Sequence, residues 1–193
     1  MFSGILTAPL PHLIGITGRA RSGKDTLGSE FSQLAGFYPM SFALPLKMAL
    51  IAMFGWDQRH INGELKEVVD PDFGISPRVA MQTLGTEWAR KHISPDIWVK
   101  VMKKRIAESP HPRIVITDVR FKNEADFVRE NGVLIHVVRD MNYMVAEHSS
   151  EEGISPIGGD YVFRNDGPIE RVRGYAQTVL EHLHEKAKRC LKD

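Results

Sequence analysis

The sequence has little cysteine and no surplus of charge of either sign. Its one cysteine, Cys190, excludes a disulfide within the chain and fits a reducing compartment such as the cytoplasm. Lysine and arginine number 25 against 24 for aspartate and glutamate, so no bulk charge draws the chain to nucleic acid or to a membrane surface. Recognition of an anion must therefore depend on a few placed cationic side chains.

Long apolar runs and targeting signals are also missing. No apolar run approaches the roughly 20 residues that a membrane-spanning helix needs, and the first dozen residues lack the basic start of a secretory signal. The eight histidines show no metal-ligand spacing, so we expect no zinc site. We expect one domain, because 193 residues are enough to bury a full core. The lack of a secretory signal and of a long apolar run predicts a cytoplasmic protein.

One glycine-rich turn carries the strongest signal in the chain. It runs from Gly18 to Lys24, after the apolar run 13–17, which predicts a buried strand, and before apolar residues at helical spacing from Leu27. A strand, a Gly-x4-Gly-Lys turn and a helix form a phosphate-binding loop, in which backbone N–H groups and the helix N-terminus face an anion. Lys24 is expected at the β- and γ-phosphates of a nucleoside triphosphate.

The residue after this lysine departs from the general loop. Asp25 stands where most such loops carry the Ser or Thr whose hydroxyl holds Mg²⁺, and Thr26 follows it. A carboxylate can also hold Mg²⁺, although it adds a negative charge beside the phosphates. The plainer alternative is a glycine-rich turn that binds nothing.

The rest of the chain alternates predicted strands with predicted helices. Strands are expected at 37–42, 113–117, 133–138 and 161–164. Helices are expected at 44–54, from Ser76-Pro77, from Ser94-Pro95, from 121 to a C-cap at Asn131-Gly132, and from 169 to 187. This alternation predicts an α/β doubly wound parallel sheet, with ligands at the C-terminal ends of the strands.

Two segments of the predicted fold stand apart from the sheet. The link between the second and third strands spans roughly 70 residues, whereas a crossover needs about a dozen. We interpret 43–112 as a helical insertion with a binding region of its own. Its inward stripes are predicted to carry Met81, Leu84 and Trp88 on one helix, and Trp98, Val101, Met102 and Ile106 on the next. The polar segment 140–160 is interpreted as a lid.

The loop predicts nucleotide binding without identifying the reaction. The Asn-Lys-x-Asp motif of switch GTPases does not occur, and motor-type ATPases are usually longer. A small P-loop domain with a helical insertion and a lid fits phosphoryl transfer to a small acceptor, because the lid excludes water. The cationic groups that such transfer needs are available in Arg19, Arg21, Lys24, Arg120 and Arg139.

Seven short motifs between about Leu13 and Ile169 carry a family resemblance. They are Arg-Ser-Gly-Lys-Asp-Thr at 21–26, Pro-Leu-Lys at 45–47, Met-Gln-Thr-Leu-Gly-Thr at 81–86, Trp-Val-Lys at 98–100, Thr-Asp-Val-Arg at 117–120 with Asn-Glu at 123–124, His-Val-Val-Arg at 136–139 and Asn-Asp-Gly at 165–167. In this order they resemble the bacteriophage deoxynucleoside monophosphate kinase family. In that family Asp follows the loop lysine, as Asp25 does here. Well-known members are longer in the middle, and some carry Lys at the position of Ala20.

The resemblance implies a P-loop NTPase fold of the nucleoside-monophosphate-kinase type, spanning 1–193 as one domain. It also implies transfer of phosphate from ATP, with Mg²⁺, to a deoxynucleoside monophosphate (dNMP). Catalytic roles fall to Lys24, Arg120 and Arg139. Contacts to ATP fall to Arg21, Ser22, Gly23, Lys24, Asp25, Thr26, Asn165 and Asp166. Asp25 or Asp118 would hold Mg²⁺. Contacts to the acceptor fall to Lys47, Arg78, Gln82, Thr86, Trp98, Asp118, Arg120 and Glu124.

Each assignment has a plainer alternative. Trp88 and Trp98 could be core residues, Lys47 and Arg78 solvated charges, Asp118 a helix cap and 165–167 only a turn. The rival functions are a P-loop kinase with another phosphorylated acceptor, such as dephospho-coenzyme A or phosphomevalonate, and a nucleotide-binding module without transfer. The expected partners are ATP and the dNMP, with neither nucleic acid nor membrane. The sequence predicts neither whether two chains form a homodimer nor which base is preferred.

Overall fold

Five parallel strands form the sheet that the sequence predicts. The computed structural model describes residues 12–139 and 153–190 of the chain. The strands are β1 (Leu13–Thr17), β2 (Tyr38–Met40), β3 (Ile114–Val119), β4 (Val133–Val138) and β5 (Tyr161–Arg164), in the spatial order β2-β3-β1-β4-β5. All five residues of β1 are buried, as is typical of a central strand in a parallel sheet.

Helices cover both faces of this sheet. They are α1 (Lys24–Ala35), α6 (Lys122–Asn131) and α7 (Glu170–Cys190). Ile14 and Ile16 of β1 belong to one buried cluster with Phe31 of α1 and Val172 of α7. Gly15 points to the opposite face, where a side chain would overlap Val128 of α6. The alternation of β1 residues between two helical layers makes the sheet doubly wound, so the predicted fold class is confirmed.

Two predicted strands differ in length from the observed ones. The strand β2 is shorter than 37–42, and it pairs only with β3. Its central residue is Pro39, which an edge strand tolerates because one side of the strand needs no ladder hydrogen bonds. The strand β3 continues to Val119, beyond the predicted end at 117, so Asp118 lies within the strand.

The segment Ser41–Glu108 forms a compact unit of its own, called here the helical unit; the sheet and its helices form the sheet unit. It contains α2 (Leu44–Phe54), α3 (Gln58–Ile61), α4 (Pro77–Gln82), a π-helix (Thr83–Ile93) and α5 (Ile97–Ala107). Its core is built on Leu46, Leu50, Trp56, Ile61 and Ala80. The Trp56 indole N–H also donates to Asp70 at 2.7 Å, which ties the loop after α3 to this core.

The π-helix overturns the predicted stripe of Met81, Leu84 and Trp88. A π-helix bonds residue i to i+5, so its wider turn carries a different set of residues inward. Gly85 and Ala89 are the buried residues of this helix, whereas Trp88 is 53% exposed. Met81 and Leu84 pack only at the edge of the core. The prediction of one stripe was wrong because it assumed the period of an α-helix throughout.

The next helix also differs from its prediction. It begins at Ile97, later than Ser94-Pro95 indicates. The Ser94 hydroxyl accepts a hydrogen bond from the Asp96 N–H at 3.3 Å, so it forms a turn before the helix and does not cap it. Val99 and Met102 are its buried residues, whereas the predicted inward residues Trp98, Val101 and Ile106 are half-buried.

Gly132 is the C-cap of α6, as the sequence predicts. Its φ is 178°, which is extended backbone. A Cβ at this position would overlap the carbonyl oxygen of Leu13 in β1. The glycine is therefore required because the chain passes close to the central strand.

None of the described helices is long and apolar enough to cross a membrane.

We expect Gly132→Ala to lower the free energy of unfolding by about 2 kcal/mol, because an overpacked site of this kind costs about 1–3 kcal/mol. The matched control is Gly174→Ala in α7, where an added Cβ meets no atom within 4 Å. There the loss of glycine in a helix should raise stability by about 0.5–1 kcal/mol. Equilibrium denaturation by urea measures both. Equal stability of wild type and Gly132→Ala would contradict the close-approach argument.

Candidate active site

The turn between β1 and α1 has the backbone of an anion-binding loop. Gly18, Arg21 and Gly23 have φ values of 148°, 61° and 101°, which turn successive peptide groups in alternating directions. Gly23 is the N-cap of α1, and no side chain caps the helix by a hydrogen bond. A Cβ at Gly18 would overlap the Val137 carbonyl, so the loop backbone lies against β4. The loop presents α1's N-terminus to solvent or to a ligand.

Lys24 and Ser22 are the two buried polar side chains of this loop. The Lys24 ammonium donates to the Arg19 carbonyl at 2.6 Å, which keeps the cation at the loop. The Ser22 hydroxyl is buried, and it makes no hydrogen bond to any of the described residues. A buried hydroxyl without a partner costs free energy unless a ligand satisfies it. The loop thus contains a buried hydroxyl that the described part of the chain leaves without a hydrogen bond.

Asn165 ties the loop to the far strand of the sheet. Its side-chain amide donates to the Ser22 carbonyl at 2.8 Å, and its backbone N–H donates to the Val138 carbonyl at 2.8 Å. A Cβ at Gly23 would overlap this amide, so that glycine is also required by packing. The structure therefore places Asn165 on the loop. Asp166, the next residue, is exposed.

Asp25 in the first turn of α1 accepts a hydrogen bond from β3. The Thr117 hydroxyl donates to Asp25 Oδ1 at 2.6 Å, a length typical of a hydroxyl on a carboxylate. Asp25 itself is exposed, and Thr26 beside it is half-buried. Sequence analysis assigned no role to Thr117, because its partner lies 92 positions away in the chain.

The residues after β3 and β4 lie at the same edge of the sheet as the loop. Thr17, the last residue of β1, is in register with Val119 of β3 and His136 of β4. Asp118 and Arg120 are half-buried, and Arg139 is exposed directly after β4. The predicted lid lies mostly outside the described residues, since 140–152 are not described.

Glu124 has a structural duty that its predicted acceptor role did not include. Its side chain is almost wholly buried, and Oε2 accepts hydrogen bonds from the N–H groups of Arg120 at 2.9 Å and Phe121 at 3.1 Å. It thereby fixes the backbone at Arg120 and begins α6. An acidic residue three positions after a helix start is a capping signal that the sequence does contain.

Sequence analysis missed an ionic cluster beside β4. Asp160 Oδ2 lies 2.7 Å from an Arg129 guanidinium nitrogen and 2.8 Å from His136 Nε2, and it accepts the Ile157 N–H at 3.0 Å. Burial opposes ionisation of Asp160, but hydrogen bonds from Arg129, Ile157 and His136 outweigh it and lower the pKa to about 2. Arg129 also donates to the Ser155 carbonyl at 3.3 Å. The cluster fastens residues 155–160 to α6 and β4.

The predicted acceptor residues of the helical unit already have partners within it. Lys47 donates to the Asn62 side chain at 2.6 Å, and Arg78 pairs with Glu67 at 2.6 Å. The Trp98 indole N–H donates to the Gly85 carbonyl at 2.9 Å, and its ring packs on the unit's core. Gln82 and Thr86 are half-buried.

Possible ligands for a metal ion are sparse. Within residues 12–139 and 153–190 there is no group of three or more His, Cys, Asp or Glu side chains that could hold one. Asp25 and Asp118 are single carboxylates. Such a sparse set of oxygen ligands suits Mg²⁺, which keeps several waters and shares its shell with phosphates.

In comparison with known proteins, the matching family model and the similar viral proteins are described as the same type of enzyme. A family model described as deoxynucleotide monophosphate kinase matches residues 56–174. A protein of Acanthamoeba polyphaga mimivirus named as a deoxynucleotide monophosphate kinase is 34% identical over 183 residues, covering 86% of this chain and 94% of its own length. The deoxynucleoside-5'-monophosphate kinase of Escherichia phage T5 is 36% identical over 88 residues, covering 42% of this chain but 35% of its own length.

Solved structures resemble the chain in fold. A gluconokinase from Sinorhizobium meliloti 1021 superposes with a TM-score of 0.52 at 15% identity, covering 94% of this chain and 97% of its own. TT1252 from Thermus thermophilus gives a TM-score of 0.52 at 15% identity, covering 91% and 99%. At this identity the likeness shows the fold alone.

We expect Asp160→Asn to weaken the dependence of stability on pH between about 4 and 2. The folded-state pKa of Asp160 lies below its ordinary value of 3.8, so the ionised cluster stabilises the fold above pH 4 and loses this effect as the pH falls towards 2. The shift corresponds to about 2 kcal/mol. Thermal unfolding at pH 2–7 measures it, with exposed Asp72→Asn as control. A slope unchanged by Asp160→Asn would contradict the assignment.

Proposed function

Because the chain belongs to the deoxynucleotide monophosphate kinase family, we propose that it transfers the γ-phosphoryl group of ATP to a dNMP, in the presence of Mg²⁺, and forms the diphosphate. The observation that carries the proposal is the β1–α1 loop, in which the buried Ser22 hydroxyl and the Lys24 cation flank the N-cap of α1. The resemblance covers nearly the whole mimivirus protein, so the proposal concerns the entire domain.

The loop residues would hold the triphosphate. Backbone N–H groups of residues 22–26 would donate to phosphate oxygens at the start of α1, where the helix dipole also favours an anion. The Ser22 hydroxyl would find there the acceptor that the described residues do not provide. Lys24 would exchange its contact with the Arg19 carbonyl for the β- and γ-phosphates. Asn165 would keep the loop in shape through the Ser22 carbonyl.

The transfer itself needs stabilisation of negative charge more than covalent chemistry by the protein. An oxygen of the acceptor phosphate attacks the γ-phosphorus, the bond from that phosphorus to the β–γ bridging oxygen breaks, and ADP leaves. Lys24, Arg120 and Arg139 are the cations that we assign to the equatorial oxygens and to the acceptor phosphate. Mg²⁺, held through Asp25 or Asp118, would neutralise charge on the β- and γ-phosphates when bound.

We assign the acceptor to the helical unit. Lys47, Gln82 and Thr86 offer polar groups, and the π-helix that contains Thr86 is a form often found at functional sites. Arg78 would have to leave Glu67, which is cheap because exposed ion pairs contribute about 0–1 kcal/mol. Trp98 would present its ring to the sugar while its N–H stays bonded to Gly85.

Lys24→Met should abolish turnover while the fold is retained. Its ammonium meets charge that develops on the transferring group, so we expect kcat to fall by about 10²-fold or more. The matched control is Lys188→Met in α7, whose ammonium pairs with Glu185 on the helix surface. A coupled assay of ADP formation with and without each dNMP measures the rate, and includes dephospho-coenzyme A and phosphomevalonate as rival acceptors. Near-normal turnover of Lys24→Met would remove the loop from the mechanism.

A second prediction concerns the sugar. If the Trp98 ring contacts C2′, an added hydroxyl meets an apolar wall, which rejects it only by about 10- to 100-fold in kcat/KM. Matched pairs such as dGMP and GMP measure this ratio. Trp98→Ala should narrow this ratio, whereas Trp98→Phe, which keeps an aromatic ring of smaller size and loses the bond to Gly85, should retain most of it. Equal kcat/KM for both sugars in the wild type would refute the role of Trp98.

A further inference from the structure

The hydrogen bond between Thr117 and Asp25 joins a hydroxyl and a carboxylate at the metal end of the loop. In P-loop NTPases generally, the Ser or Thr after the loop lysine and an Asp elsewhere in the domain hold Mg²⁺ together. Here the carboxylate follows the lysine, and the hydroxyl stands on β3. The two chemical groups are both present, but their order along the chain is reversed.

The packing of α1 on β3 fixes the direction of the Thr117 hydroxyl. Gly28 lies one turn after Asp25 in α1, and a Cβ there would overlap the Thr117 methyl group. Glycine inside a helix costs about 1 kcal/mol relative to alanine, so its presence indicates that room for this methyl is needed. Threonine is stiff about its first side-chain bond. With the methyl against Gly28, the hydroxyl is held on Asp25 Oδ1 at 2.6 Å.

We propose that Asp25 and Thr117 form an exchanged metal pair, in which Asp25 is the carboxylate that holds the Mg²⁺ of ATP and Thr117 is the positioning residue that orients it. The proposal rests on the proposed function for the identity of the nucleotide. The Thr117 hydroxyl occupies one carboxylate oxygen, which leaves the other, on an exposed side chain, for the metal or its water. We therefore assign the metal to the Asp25 carboxylate and not to that of Asp118.

Binding of ATP with and without Mg²⁺ tests the positioning role apart from turnover. Thr117→Val retains the shape and loses the hydroxyl. We expect the gain in ATP affinity on adding Mg²⁺ to fall by about tenfold, since a hydrogen bond to a charged group contributes about 1.5–3 kcal/mol. The affinity without Mg²⁺ should stay unchanged. Thr117→Ser, which retains the hydroxyl and loses the methyl, should behave as the wild type. Titration calorimetry measures all six affinities, those of the wild type and of both variants with and without Mg²⁺.

Two results would overturn the positioning role. One is a wild-type Mg²⁺ effect in Thr117→Val. The other is an equal loss in Thr117→Ser and Thr117→Val, which would mean that the methyl packing on Gly28 is what counts. The binding data are needed for this test. A change in melting temperature does not separate positioning from packing, because packing alone can change it.

The exchange itself is tested by restoring the general arrangement. Asp25→Thr and Thr117→Asp should each reduce the Mg²⁺ effect on ATP affinity, and the double variant should recover most of it. A double variant no better than the worse single one would overturn the exchange. The wild type is assayed in parallel for dNMP phosphorylation. Absence of that turnover would refute the proposed function, whereas a Thr117-dependent Mg²⁺ effect would still support the pair.

Discussion

The burial of β1 between β3 and β4 is the constraint on which the rest of the sheet unit depends. Neighbouring strands pair with β1 on both sides, and helices cover both of its faces. Only the two ends of the strand are therefore open to a loop. At the C-terminal end Gly18 passes so close to the Val137 carbonyl that no side chain fits. The turn that follows is therefore shaped by packing before any ligand arrives, and a preformed loop loses less entropy on binding an anion.

Interactions close in sequence were predictable, and interactions between distant residues were not. The runs at 13–17 and 133–138 gave the observed strand limits, since a buried parallel strand is nearly continuous in its apolar residues. The limits 161–164 were also predicted, although this edge strand is mostly not buried. The Asn165 contact with Ser22 joins residues 143 positions apart, and only the strand order brings them together. The same reason explains why Thr117 had no assigned role and why the Arg129–Asp160 pair was missed.

The helical unit shows a different limit of sequence reasoning. Nothing in the residues 81–93 distinguishes the period of an α-helix from that of a π-helix, because both place apolar residues three to five positions apart. The exposed Trp88 follows from this wider turn. The capping signal of Glu124, in contrast, is local in the sequence, although only an acceptor role was predicted for this residue.

The bond from Asn165 to the Ser22 carbonyl has a consequence for the order of events during synthesis. The loop precedes the other strands in the sequence, but the amide that fastens it follows β5 and is made 143 positions after Ser22. The neighbours of β1 in the sheet are likewise β3 and β4, about 100 residues downstream. A ribosome-bound chain that ends before β5 thus has the whole phosphate-binding motif in sequence without its finished geometry. The loop therefore reaches its finished geometry only after β5 has been made. Contacts of such long sequence separation also slow folding.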